Sequence, residues 1–351
     1  MKILQNVPEV IFQKGCFADL TSILAYVEKK HRLKRPVFLV DHVFKNKVSL
    51  PSPIPRSSSE MILWVDTDKE PTTKQADDFT KIMKELNPDY IVGIGGGSVL
   101  DITKGVSVLL NNPGSCSDYQ GWDKVKNRAL FKIGIPTLSG TGSEVSRTCI
   151  FTSPTKKQGI NDDHTRFDMV ILDPTLTCTV PAAQKFFTAM DCYIHSVESL
   201  RGTMINPFSR GHAEKALELC VRYFLDRPDD GDLMTASYFG GCSIVYSEVG
   251  ICHALSYGIS FILGYHHGEA NSIVFDYLDD YYPEDVKVFR KMLSTHNIEL
   301  PRNIMKGVSA SDIDKMIELT YLMEKPLTNA LGQDWKLKLT PEKIKKIYSR
   351  M

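Results

Sequence analysis

Strand signals alternate with helical ones in the first half of this chain and then stop, and this change of pattern sets the fold. PVFLVD (36–41), MILWVD (61–66), YIVGIG (90–95), FKIGIPT (131–137) and MVILDP (169–174) are near-continuous apolar, β-branched runs, as in strands covered on both faces. The segments between the early runs carry helical periodicity, which predicts a mostly parallel, doubly wound sheet. From about Pro181 onward, KFFTAMDCYIHSVESLRG, SRGHAEKALELCVRYFL, LMTASYFGGCSIVYSEVG and SDIDKMIELTYLME all read as helices. The expected organisation is therefore an α/β domain over 1–178 and an all-α domain over 179–351, with the boundary inside 175–182. SLPSPIPRSSSE (49–60) reads as a surface connection, because strand-like sequence resumes directly after it.

Charge and cysteine usage narrow the function classes. Forty-two basic residues balance forty-two acidic ones, so no net field gathers nucleic acid or an anionic membrane. MKILQNVPEVIF lacks the marks of a secretory leader, and no apolar stretch reaches transmembrane length. The eight cysteines are scattered through apolar contexts without a C-x-x-C pair, which fits reduced core thiols and a cytoplasmic setting. A homodimer is the expected assembly.

Two small-residue turns follow predicted strands. In GIGGGSVLDITKGVSVLL, Gly95, Gly96 and Gly97 lie between a buried strand and a helix opening near Ser98. Glycines let backbone N–H groups approach an anion, and a helix N-terminus favours negative charge, so a diphosphate fits; a plain tight turn explains the glycines equally. Asp41, at the end of PVFLVD, can accept hydrogen bonds from a ribose or cap a helix. The second turn, IPTLSGTGSEVSRT (135–148), offers hydroxyls from Thr137, Ser139, Thr141 and Ser143. Glu144 and Arg147 then begin what reads as a charged, helix-like segment.

In MDCYIHSVES, Asp191 and His195 are four residues apart, which puts both on one face of a helix. His253, in a predicted helix, and one of His266 and His267, before Gly268, complete an Asp/His₃ set. Oxygen and imidazole donors without thiolate suit Fe(II), Zn(II) or Mn(II), and an additional open position would let a substrate oxygen bind. His164 and His212 have no such setting.

GIGGGSVLDITK, IPTLSGTGSE, MDCYIHSVES, GICHALSYG and HHGEAN together resemble, over nearly the whole chain, the iron-containing (group III) alcohol dehydrogenases, relatives of dehydroquinate synthase and glycerol dehydrogenase. The resemblance implies a dehydroquinate synthase-like fold, a dinucleotide-binding α/β domain followed by a helical metal-binding domain. It implies oxidation of an alcohol with NAD(P), NAD being preferred, and a divalent metal. The implied metal ligands are Asp191, His195, His253 and His267, the last because it directly precedes the glycine. The diphosphate loop falls on Gly95, Gly96, Gly97 and Ser98, the ribose carboxylate on Asp41, and Thr137 and Thr141 lie near the cofactor. Two positions depart from the family pattern: Leu138 replaces a threonine, and Tyr257 stands where a proton-relaying histidine is common, which makes Tyr257 the candidate to carry the proton.

NPGS, YQGWD, the arginine of SEVSRT and GYHHG are similar to the 3-deoxy-manno-octulosonate 8-oxidase branch, which oxidises a terminal primary alcohol to an aldehyde for lipopolysaccharide sugar synthesis. That likeness implies coupling to a PLP-dependent aminotransferase and assigns Arg147 to the substrate carboxylate, with pairing to Glu144 as the alternative. The rival readings are a dioxygen-using oxidase, an NAD-dependent dehydrogenase of another small polyol or alcohol, a cyclase of the dehydroquinate synthase kind, and a non-catalytic metal or nucleotide binder.

Overall fold

All five strands expected from the apolar runs form. The computed structural model describes residues 5–46, 48, 50, 54 and 61–351, so the Pro/Ser-rich stretch 49–60 lies outside the described residues apart from Leu50 and Ile54. The elements begin with β1 (Glu9–Phe12), α1 (Leu20–His31), β2 (Pro36–Asp41), α2 (Val43–Asn46), β3 (Ile62–Val65), α3 (Thr73–Leu86) and β4 (Tyr90–Gly95). They continue with α4 (Gly97–Asn111), α5 (Cys116–Tyr119), β5 (Gly121–Trp122), β6 (Phe131–Pro136), β7 (Thr148–Thr152), β8 (Lys157–Asn161) and β9 (Met169–Leu172).

Six strands form a fully parallel sheet in the order β1-β9-β6-β4-β2-β3. Both faces are covered. On β2, Val37 and Leu39 join the core on one face, while Phe38 and Val40 join the core on the other. This double burial explains the unbroken apolar runs. After β2 the chain moves outward to β3 and returns to β4 on the opposite side of β2, so the strand order reverses there. Ligands of such sheets bind beyond the strand ends at this point, where Asp41 and Gly95 lie. Gly93 lets α4 pack closely, since a Cβ at that position would lie 2.3 Å from Thr103 Oγ1.

Three features depart from the sequence reading or escape it. The edge strand β1, EVIF, alternates and leaves Val10 and Phe12 exposed, so it lacks the doubly buried signature. A small sheet, β5-β8-β7, is built from short polar strands such as KQGIN. Glu144 and Arg147 do not begin a helix: Glu144 lies in a turn, and Arg147 leads directly into β7. The β-branched Thr148, Ile150 and Thr152 suit that strand.

Helices alone follow Pro181: α6 (Ala182–Arg201), α7 (Pro207–Leu225), α8 (Asp230–Tyr246), α9 (Ile251–Leu263) and α10 (His267–Phe275). Five more complete the chain: α11 (Pro283–Thr295), α12 (Ala310–Tyr321), α13 (Glu324–Leu331), α14 (Trp335–Lys338) and α15 (Pro341–Tyr348). Helix α6 is buried without interruption from Ala189 to Ser199, including Asp191, His195 and Glu198. A helix buried all round must find partners for every polar group it carries.

The chain divides into two compact units. One takes the chain up to Ser139 and Ser143–Val180; the other takes Gly140–Gly142 and Pro181–Met351. The excursion at 140–142 requires glycine. Gly140 has φ +145°, and a Cβ there would lie 1.7 Å from Thr188 O on α6. No helix among the described residues is long and apolar enough to cross a membrane.

Lys132 on β6 is buried and donates to His164 O at 2.9 Å, with Asp168 Oδ2 3.9 Å away. Burial lowers its ammonium to about 8, against the partial opposition of Asp168. The folded lysine thus gives up its proton earlier than the unfolded one, whose value is near 10.5, so the penalty is full below about pH 8 and is relieved as pH rises. Unfolding free energies of wild type and Lys132→Met, measured in denaturant from pH 7 to 11, should differ with a slope in that window. Wild type should gain up to about 3 kcal/mol relative to the variant; a pH-independent difference contradicts the assignment.

Candidate functional site

The first unit presents a glycine turn at the sheet's switch point. Helix α4 begins at Gly97 with Gly96 as its N-cap, and no side chain caps it and no acidic residue stands in its first turn. Its leading amides therefore offer hydrogen bonds and a positive dipole end to an anion. A Cβ on Gly95 would meet Val99 Cγ2 at 2.5 Å and Asp41 Cβ at 3.2 Å, so Asp41 lies against the turn. Asp41 Oδ1 accepts from Val43 N at 3.1 Å and Thr67 Oγ1 at 3.0 Å, while no hydrogen bond to Oδ2 is made among the described residues. Thr137 N donates to Gly95 O at 3.0 Å and holds the second turn on the first. Leu138 covers Gly96: a Cβ there would lie 2.6 Å from Leu138 Cδ1. Asp41, Gly95, Gly96 and Thr137 thus come together with Gly97 and Ser98 at the head of α4, whereas Thr141 falls in the segment assigned to the second unit.

Two residues that the motif reading passed over hold this region. Lys104, wholly buried on α4, donates to Ser143 Oγ (3.1 Å), Ser146 O (3.2 Å), Ser146 Oγ (3.0 Å) and Thr148 O (2.9 Å). Ser143 Oγ donates onward to Asp101 Oδ1 at 2.6 Å, and Asp101 Oδ2 accepts from Ile150 N at 2.8 Å. Burial pushes the Asp101 carboxyl up and the Lys104 ammonium down, each opposed by the other's charge. The spacing D-x-x-K on a helix after a glycine turn was the available signal.

Arg147, beside the second turn, has partners other than Glu144. Its guanidinium pairs with Asp123 and, through Nε at 2.9 Å, with Asp163, so its charge is answered within its own unit by two carboxylates rather than by Glu144. A substrate carboxylate at Arg147 would have to share the guanidinium with these two acids.

The second unit gathers the carboxylate and histidines. Asp191 and His195 come from α6, His253 from α9 and His267 from the first position of α10. Ligand-type atoms of Asp191, His253 and His267 all lie within 4.8 Å of one another. Asp191 Oδ1 lies 3.2 Å from His253 Nε2 and 3.5 Å from His195 Nε2, and Oδ2 lies 3.6 Å from His267 Nε2. The rings of His195 and His253 stack at 4.7 Å, and Tyr257 meets His267 edge-on at 5.8 Å. His195 is the outlying member, outside the tight group, and its buried Nδ1 has no hydrogen-bond partner among the described residues.

Two partners of this cluster were not singled out from sequence. Glu198, three residues after His195, accepts from His253 Nδ1 at 2.5 Å. Asn271 Nδ2 lies 2.7 Å from Asp191 Oδ1 and 3.2 Å from Nε2 of both His253 and His267. Lone-pair atoms therefore outnumber the donors that face them: one amide NH₂ stands against two carboxylate oxygens and several imidazole nitrogens. Such an inward-facing excess of acceptors is what a divalent cation satisfies, and the donor types fit Fe(II), Zn(II) or Mn(II). In the protein alone a proton answers the same demand. Burial opposes charge on His253, yet Glu198 and Asp191 overcome it and raise that imidazole to about 10. Burial would also raise Asp191, but His195, His267 and His253 hold its carboxyl far below the usual range. For His195, burial prevails over Asp191 and lowers it to about 4. A further group, His42, Asp66 and Asp68, lies at the surface with both carboxylates exposed, as solvated turns commonly do.

Residues 8–174 match the family described as iron-containing alcohol dehydrogenase, and residues 185–326 match the C-terminal part of the Fe-containing alcohol dehydrogenase family. The chain belongs to the iron-containing alcohol dehydrogenase family. Alcohol dehydrogenase 4 of Schizosaccharomyces pombe is 29% identical over 286 residues, covering 78% of this chain and 67% of the relative. Long-chain-alcohol dehydrogenase 1 of Geobacillus thermodenitrificans is 30% identical over 240 residues, covering 66% and 61%. The chain thus spans about three fifths to two thirds of the length of these curated relatives. Among solved structures, a 1,3-propanediol oxidoreductase superposes with TM-score 0.83 at 20% identity, covering 99% of both chains. The iron-containing alcohol dehydrogenase of Thermotoga maritima gives 0.79 at 25% identity, covering 99% of this chain and 98% of that one. Family members of this fold carry the parallel sheet and helical unit described above.

Removing Lys104 alone strands the buried Asp101 carboxylate. Lys104→Met should cost about 3 kcal/mol or more, and adding Asp101→Asn should recover part of the loss. Denaturant melts of both single variants and the double variant would measure the coupling; strict additivity would contradict the shared network.

Proposed function

We propose that this protein is a divalent-metal- and NAD-dependent alcohol dehydrogenase that interconverts a primary alcohol and its aldehyde. The observation that carries the reading is the convergence of Asp191, His253 and His267, with His195 beside them, on one acceptor-rich point. Membership of the iron-containing family supports it, as does the fold likeness to a sulfoacetaldehyde reductase from Bifidobacterium kashiwanohense solved with NAD+, at TM-score 0.78 and 19% identity.

Asp191, His195, His253 and His267 would hold the metal, which supplies Lewis-acid polarisation of the reacting oxygen. NAD supplies the hydride acceptor. The chain's own contribution begins at the glycine turn, where the leading amides of α4 at Gly97 and Ser98 would bind the diphosphate. Asp41 Oδ2 would accept from the ribose hydroxyls, and Thr137 and Thr141 would supply further contacts. Leu138, lying on Gly96, presents an apolar side chain where the family commonly has a hydroxyl. Tyr257, buried against the His267 ring, would take the alcohol proton toward solvent.

The sugar-acid substrate retains its motif-level support. At Arg147 its carboxylate would have to compete with Asp123 and Asp163. Coupling to a PLP-dependent aminotransferase stands or falls with that substrate. The eight cysteines form no disulfide and seven of them are buried, which supports a reducing, cytoplasmic location.

Metal-loaded protein incubated with NAD and a series of primary alcohols, the octulosonate among them, should reduce the cofactor without consuming dissolved oxygen. Oxygen loss without cofactor reduction would make it an oxidase, and silence in both channels with every alcohol would contradict the reading. Chelation should abolish turnover and re-addition of the metal should restore it. Tyr257→Phe should lower kcat at least tenfold with little change in KM and remove any solvent isotope effect; unchanged values would exclude that tyrosine.

A further inference from the structure

Two carboxylates with one imidazole between them single out Glu198. Asp191 and Glu198 are seven residues apart, two turns along the same face of α6, and each is 1% exposed. His253 spans them, with Nδ1 2.5 Å from Glu198 Oε2 and Nε2 3.2 Å from Asp191 Oδ1. The other Glu198 oxygen, Oε1, accepts from Cys252 N at 2.6 Å, in the first turn of α9. That helix has Gly250 as its N-cap and no capping side chain of its own, so Glu198 caps it from α6. Gly250 makes the room: a Cβ there would lie 2.9 Å from Glu198 Oε1 and 3.0 Å from Tyr282 OH.

We infer that Glu198 is a positioning residue for the metal centre, fixing the tautomer and ring orientation of His253 so that Nε2 faces the cation as a lone pair. This rests on the reading of Asp191 and the three histidines as a metal site. A carboxylate at Nδ1 keeps the proton on that nitrogen and strengthens the donor character of the other. The arrangement depends on a carboxylate rather than any polar group. Glu198 serves two N–H donors with two acceptor oxygens. A glutamine has one acceptor oxygen and one NH₂, so whichever way its amide turns, a donor faces a donor. Either α9 loses its cap or His253 is driven to the tautomer whose Nε2 carries the hydrogen. Because Glu198 also ties α6 to the start of α9, the same side chain sets where the imidazole stands and how it turns.

Zinc(II) affinity, measured on the full-length protein by competition with a chromophoric chelator, tests this, with the visible spectrum of the cobalt(II)-loaded protein as a second readout. Glu198→Gln should weaken zinc binding ten- to hundredfold and change the cobalt bands. Glu198→Asp, which keeps both oxygens on a shorter arm, should restore part of the loss. Gly250→Ala touches none of the four candidate ligands, and with its Cβ 2.9 Å from Glu198 Oε1 it should weaken binding in the same direction by displacing the carboxylate. If Glu198→Gln does not fold, Glu198→Asp and Gly250→Ala decide, since both retain the carboxylate. Wild-type affinity and spectra in the Glu198 and Gly250 variants, alongside a large loss in Asp191→Ala, would overturn this inference alone. Undiminished zinc binding in Asp191→Ala would overturn the metal site itself, and with it both readings.

Discussion

The helical unit depends on how two carboxylates are kept in the interior of α6. An unpaired carboxylate in a dry core costs about several kcal/mol even after relaxation. Asp191 and Glu198 meet that constraint through one imidazole, His253, supplemented by Asn271 and the backbone of Cys252. Because His253 belongs to α9, and His267 and Asn271 to α10, satisfying α6 fixes where both helices stand. The packing around the cluster and its chemistry are therefore one problem. The core that excludes water from Asp191 is the same core that makes its negative charge attract a cation.

The sheet unit solves a related problem at a different place. Its glycine turn leaves the head of α4 uncapped, which is unfavourable unless water or an anion answers the exposed amides. The turn is nevertheless held firmly, because Lys104 ties the body of α4 to Ser143, Ser146 and Thr148 beyond it. Rigid elements thus carry both candidate sites, and exposed loops carry neither. Geometry held by buried charge is geometry that does not relax easily, which is the condition for pre-organised binding.

How much of this was legible in the sequence follows from where the signals come from. Doubly buried strands and a glycine turn are dictated by local composition, and all five apolar runs formed strands. The edge strand β1 and the small β5-β8-β7 sheet were missed because half-exposed polar strands have no such signature. Spacing on one helix made Asp191 and His195 visible, helix and turn signals added His253 and one of His266 and His267, and family resemblance chose His267. Glu198 went unnoticed although it stands on the same helical face, since its partner lies 55 residues away. The partners of Arg147 were missed in the same way: its local neighbour Glu144 was considered, whereas Asp123 and Asp163 reach it only through the fold. Local pattern reports what an element can present, and tertiary contacts decide what is already taken.

The claim on which everything else rests is that Asp191, His195, His253 and His267 form a single divalent-cation site. Crystals of the iron- or zinc-loaded protein, with diffraction collected on both sides of the metal's absorption edge, test it most directly. The account predicts one strong anomalous peak bonded to a carboxylate oxygen of Asp191 and to the Nε2 atoms of the three histidines. A loaded protein whose anomalous signal lies elsewhere, for example beside His42 and Asp66, or that shows no peak at Asp191, would contradict it.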